Sequence, residues 1–211
     1  MSRPFLMLAG LIALGLGCLA YLRSSSQATA SAALAPAVEG SKIYFVPIGD
    51  FPSEQLKPLV QYYRRKYKLE IGITNSIPVD PGTRDGSRPQ LMAENLVSSI
   101  RNDVPEQGAD PSAILIGFTS EDIYPTSQNW QFAFGWRITS ARAAVVSTAR
   151  MSLQYEGQPL SFDLPGTRLR KMVTKDIGIL YYGLPQSENP KSVLYDQPMG
   201  IQELDQVGEE F

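Results

Sequence analysis

No histidine occurs anywhere in this 211-residue chain, and its only cysteine, Cys18, lies in an apolar stretch near the amino terminus. A domain downstream of Cys18 therefore holds no disulfide and no thiolate, and zinc lacks its usual nitrogen and sulfur donors. Carboxylate and carbonyl oxygens suit calcium or magnesium. No Asp-rich loop with calcium spacing is present, so neither a metal nor a cofactor is expected. The fold has to stand without disulfide or metal staples. With 43% hydrophobic and 19% charged residues, a domain of about 170 residues buries a core without staples. The net charge is −2 with Lys and Arg scattered, which leaves no footprint for a nucleic acid. The densest basic stretch, Arg64-Arg65-Lys66-Tyr67-Lys68, falls where a helix should end, and positive charge there complements the helix dipole. A phosphate or lipid contact is the other reading of that cluster.

Phe5 to Leu22 is an uncharged run of 18 residues preceded by Arg3. As a helix it spans about 27 Å, near the thickness of a bilayer core. A retained signal anchor is the leading reading. A cleaved signal peptide ending at Ala28-Thr29-Ala30, and lipidation of Cys18, are the rivals. All three place the domain on the extracytoplasmic side, membrane-anchored or secreted. Residues 23–41 are rich in Ser and Ala without periodicity and read as a flexible linker. The expected organisation is thus residues 1–22 as anchor or signal, 23–41 as linker and 42–211 as the folded domain.

Within that domain Lys42–Ile48 reads as a strand, Gly49–Pro52 as a turn, and Ser53 as the cap of a helix reaching Tyr67. Leu69–Ile73 is a second strand, and residues 74–88 form a loop. A helix from Arg88 to Asn102 and a buried strand over Ser112–Phe118 follow. The order strand, helix, strand, helix, strand predicts an α/β sheet with parallel strands. Trp130, Phe132, Phe134 and Trp136 then alternate with smaller residues, and period two puts all four on one face. They read either as a strand packed on the core or as an edge strand lining a peptide-binding groove. Arg142–Thr148 is a further strand. Thr167 caps a last helix over residues 168–182, whose apolar stripe includes Asp176. A carboxylate there should find a partner or have its pKa raised by burial.

Several strings in this order resemble the archaemetzincins, a branch of the metzincin zinc proteases. They are Lys42–Pro52 (KIYFVPIGDFP), Ile114–Pro125 (ILIGFTSEDIYP), Phe132–Gly135 (FAFG) and Arg142–Arg150 (RAAVVSTAR). The resemblance covers nearly all of residues 42–205. It implies a metzincin-like twisted mixed sheet with about three helices, after the apolar N-terminal helix. The family carries H-E-x-x-H-x-x-G-x-x-H-C-x4-C-x-M, in which three His bind zinc and a Glu is the base. By that resemblance Lys175 stands at the first His, Asp176 at the Glu and Ile179 at the second His. Gln186 stands at the third His, Ser187 and Ser192 at the two Cys, and Leu194 at the Met.

With every ligand replaced, the expectation is that the chain is no enzyme. It reads as a membrane-tethered pseudoprotease that binds a peptide or protein beside Trp130, Phe132, Phe134 and Trp136. A divergent hydrolase without zinc is one alternative. It would use Ser147 with Lys171 or Lys175, or a carboxylate pair among Asp50, Asp122, Asp176 and Asp196. A structural accessory of an envelope complex is the other.

Overall fold

Branched and aromatic residues fit a pleated, half-buried surface, and Ile43–Pro47 accordingly forms strand β1. The computed structural model describes residues 34–158, 163–197 and 199–211. The expected membrane segment 5–22, Cys18 and most of the linker lie outside the described residues. Among the described residues no helix is long and apolar enough to cross a membrane.

After β1 come helix α1 (Leu56–Tyr67), β2 (Ile71–Ile73), β3 (Leu91–Met92), α2 (Ala93–Asp103) and the one-turn α3 (Pro105–Gly108). The chain continues through β4 (Ile114–Thr119), β5 (Ile123–Tyr124), β6 (Gly135–Ile138), β7 (Ala143–Ser147), α4 (Leu164–Leu180) and α5 (Ile201–Gln206). The main sheet runs β2-β1-β4-β7-β6. Its first four strands are parallel, as the alternating order requires, and only β6 is antiparallel to its neighbour β7. The expected mixed sheet with three long helices is therefore present, with α3 and α5 as short additions.

Two apolar layers flank the sheet. On one side Phe45, Ile116 and Phe118 meet Leu56, Leu59 and Tyr63 of α1 and Val173 and Ile177 of α4. On the other, Leu115 and Val145 meet Leu96, Val97 and Ile100 of α2. Every residue of β4 is buried, because both faces of a central parallel strand are covered.

Four local expectations are corrected. The helix expected from Arg88 starts at Ala93, because Leu91 and Met92 are taken up as strand β3 paired with β5. Ser53 opens a 3-10 turn, and no side chain caps α1. Helix α4 starts at Leu164, ahead of Thr167, with Pro165 in the first turn. Proline's fixed φ suits that position and its missing N–H costs nothing there. The four aromatics do not share one face. The ladder to β7 begins only at Gly135, with a bend at Phe134. Phe132 and Phe134 turn to the α4 layer and meet edge-on at 5.3 Å, while Trp136 packs on the α2 layer and meets Trp130 at 5.9 Å. A period-two rule holds only while the backbone stays extended.

Candidate functional site

Among the described residues strand β6 is the edge of the main sheet, so one side of its backbone has no strand partner there. Phe134 C=O accepts from Ser147 N–H at 2.9 Å. In an antiparallel ladder alternate residues face the partner, so Trp136 and Ile138 face β7 while Ala133, Gly135 and Arg137 turn outward. Ala133 N–H is taken by Ile123 C=O at 2.9 Å. Gly135 and Arg137 are left as the open edge. This edge borders a cleft of about 620 Å³, which Trp130, Phe132, Phe134 and Trp136 all line. Gln186, Asp196, Met199 and Glu203 of the carboxy-terminal segment and Met172 of α4 also line it.

Helix α4 supports the cleft and is unusual in burying charge. Arg168, Lys171, Lys175 and Asp176 are all buried. The first three recur at helical spacing, and all three reach the same carboxy-terminal segment. Arg168 donates to both oxygens of Asp205 at 2.7 and 2.6 Å and to the carbonyls of Met151 and Leu153 at 2.7 and 2.6 Å. Lys171 donates to the Leu204 and Asp205 carbonyls at 3.0 and 2.7 Å, near the end of α5 where helix carbonyls lack partners. Lys175 donates to the carbonyl of Tyr195.

Asp176 does find a partner, and burial does raise its pKa. Its Oδ1 lies 3.3 Å from Nε of Arg137 on β6. The angle does not make this a hydrogen bond, and Oδ2 has no hydrogen-bond partner among the described residues. The pair is thus a charge contact across the α4 layer. Burial pushes Asp176 up to about 6, against the opposing pull of Arg137 and Lys175. Burial draws Lys175 down to about 8, helped by Arg137 and resisted by Asp176 and Asp196. Arg137 is the residue sequence reasoning missed. The signal was available in the buried carboxylate itself, which required a cation from a distant strand.

The other candidates do not converge. Ser147 Oγ donates to the Glu121 carbonyl at 2.7 Å, while Lys171 and Lys175 are held by carbonyls elsewhere, so no Ser–Lys pair forms. Asp122 is bound by Arg150 and Gln90, and Asp50 is exposed beside a different, shallow pocket. Of the four carboxylates considered, only Asp196 lines the cleft.

No family model matches the chain. The archaemetzincin of Haloquadratum walsbyi is 28% identical to it over 164 residues, covering 76% of this chain and 88% of that protein. The archaemetzincin of Pyrococcus abyssi is 27% identical over 161 residues, covering 72% and 81%. Among solved structures, the archaemetzincin of Archaeoglobus fulgidus complexed with malonate superposes with a TM-score of 0.63 at 22% identity, covering 81% of this chain and 94% of that one. A zinc-dependent peptidase of Methanocorpusculum labreanum does so with a TM-score of 0.64 at 18% identity, covering 80% and 95%. The structural likeness is one of fold.

These relatives correct the expectation that the chain is no enzyme. What it is similar to carries the names archaemetzincin and zinc-dependent peptidase. Missing zinc donors bear on one metal, not on catalysis as such. The zinc that those names imply does not fit the residues at the corresponding positions. Lys175 is a cation committed to the Tyr195 carbonyl, Ile179 offers no donor atom, and Asp176 is buried against Arg137. Gln186 offers only a neutral amide, a poor donor for zinc. Among the described residues no three His, Cys, Asp or Glu side chains cluster.

Proposed function

On an archaemetzincin-like domain of this geometry, we propose that the cleft beside β6 binds an extended peptide or protein segment as an added strand. The observation that carries this reading is the open backbone edge at Gly135 and Arg137 facing a cleft lined by four aromatics. Main-chain hydrogen bonds supply affinity in strand addition, and side-chain pockets supply selectivity. Aromatic walls add apolar contact at low entropic cost.

Peptides selected from a display library on the purified protein are expected to bind, as read by fluorescence anisotropy. N-methylation at the peptide residues whose N–H faces β6 should weaken binding by about ten-fold per position, the scale of one lost hydrogen bond with a group left unpaired. Mass spectrometry of the same mixtures reads cleavage. Failure to select any binder while Trp130 and Phe134 are intact, or indifference to N-methylation, rules the strand-addition reading out.

Attachment to a membrane through residues 5–22, with the domain on the extracytoplasmic side, belongs to the same reading. Its support is the uncharged run of 18 residues, long enough to span. The full chain is expected in the membrane pellet after an alkaline carbonate wash, and a chain starting at Leu34, the first residue of the main compact unit, in the supernatant. Release of the full chain by carbonate contradicts the attachment.

A further inference from the structure

Among the described residues Arg137 is the one cation lining the cleft, and its contacts there do not fully use it. Its guanidinium is a planar cation with five donors in a fixed fork. Asp176 is its ion-pair partner among the described residues, touching the Nε side only, and Nε makes no hydrogen bond. The Asp176 side chain is 3% exposed and that of Arg137 is 18% exposed. The carboxylate thus holds the arginine from behind, on a rigid helix, while the arginine borders the open space. A partly desolvated guanidinium gains most from a second, bidentate acceptor presented to its terminal nitrogens. The other charges that the described residues bring to the cleft are negative, from Asp196 and Glu203, and neither forms an ion pair with Arg137.

Resting on the peptide-binding reading above, we infer that the bound segment carries a carboxylate, and that Arg137, positioned by Asp176, selects for it. The two sources of such a group are the free carboxy terminus of a peptide and an Asp or Glu side chain opposite Arg137. Cross-strand neighbours of an added strand lie within reach on the same face, so a side chain meets the guanidinium as readily as a chain end does. Without Arg137 the charges that the described residues bring to the cleft are Asp196 and Glu203, which repel either one.

The test compares selected peptides in four forms. These are free acid against carboxamide at the chain end, and Asp or Glu against Asn or Gln within the segment. One of the two substitutions is expected to weaken binding about ten-fold or more, the scale of a charge-assisted hydrogen bond, and it identifies the source. In Arg137→Gln the acid-to-neutral preference should vanish or reverse. Because that variant strands Asp176, the double variant Arg137→Gln/Asp176→Asn is measured beside it and should show the same lost preference. Succinate alone, titrated against the indole signals of Trp130 and Trp136 in NMR spectra, probes the arginine without a peptide; shifts seen in the native protein and absent from both variants support the assignment. Equal affinity for acid and neutral peptides overturns this inference and leaves peptide binding standing. Absence of any peptide binding overturns the peptide reading, and absence of succinate shifts then overturns the arginine's role as well.

Discussion

Asp205→Ala is expected to lower the free energy of unfolding by about 3–5 kcal/mol, the usual loss when one partner of a buried ion pair is removed. Arg168 has no exposed surface, and among the described residues Asp205 supplies the only negative charge bound to it, through two hydrogen bonds at 2.7 and 2.6 Å. Truncating Asp205 leaves a guanidinium in the core with two carbonyl acceptors, Met151 and Leu153, and no counter-charge. Urea denaturation of the variant and the native protein measures the loss. The double variant Arg168→Met/Asp205→Leu removes both charges and should recover most of it. The pair Lys57–Glu54, exposed at 62% and 75%, is the control, since surface pairs contribute little. If Asp205→Ala costs no more than disrupting that control, Arg168 is not the clamp between α4 and the carboxy-terminal segment.

Asp176→Asn should stabilise the protein at pH 7 by up to about 3 kcal/mol, the free-energy equivalent of its raised pKa. In the unfolded chain the carboxyl ionises near 3.8, and in the folded protein near 6. The folded state therefore holds the proton more tightly. The stabilisation from that proton is complete below about pH 4 and is lost as pH rises through 6. Lys175 mirrors it. Its ammonium is held near 8 against an unfolded value of 10.5, so its contribution is present above about pH 10.5 and lost as pH falls through 8. Both groups thus weaken the fold most between about pH 6 and 8. The charged neighbours that face them are Arg137 from β6 and Asp196 from the loop before α5. Acid titration of ordinary carboxylates such as Asp85, which hydrogen bonding to Tyr124 and Ser87 holds down at about 2, is common to native protein and variant and cancels in the difference. The stability gain of Asp176→Asn should therefore shrink towards zero as pH falls from 7 to 4. That of Lys175→Met should shrink as pH rises from 7 towards 10.5. A difference that stays level across either range removes the buried-charge account.

The buried charges also show how far local pattern carries. Asp176 broke the apolar stripe of its helix, and that irregularity alone announced a partner or a shifted pKa; both occur. The identity of the partner was not legible, because Arg137 belongs to a strand distant in sequence and no local periodicity links the two. Ser147 and Lys171 both looked reactive by type. Their hydroxyl and ammonium groups are instead consumed by the carbonyls of Glu121, Leu204 and Asp205, a backbone demand that composition does not reveal.

The sequence alone determined the three long helices, the four parallel strands β1, β2, β4 and β7 and their order, because hydrophobic period and turn residues act over neighbouring positions; it did not determine β3, β5 or the start of β6. It also determined the lack of a zinc donor set, because donor chemistry is a property of residue type. Tertiary structure alone decided that Phe134 and Trp136 face opposite layers, that Gly135 and Arg137 keep an open edge, and that three cations on α4 clamp the carboxy-terminal segment. Each of these depends on which distant backbone passes within hydrogen-bond reach, and that is set by packing of the whole domain rather than by any window of sequence.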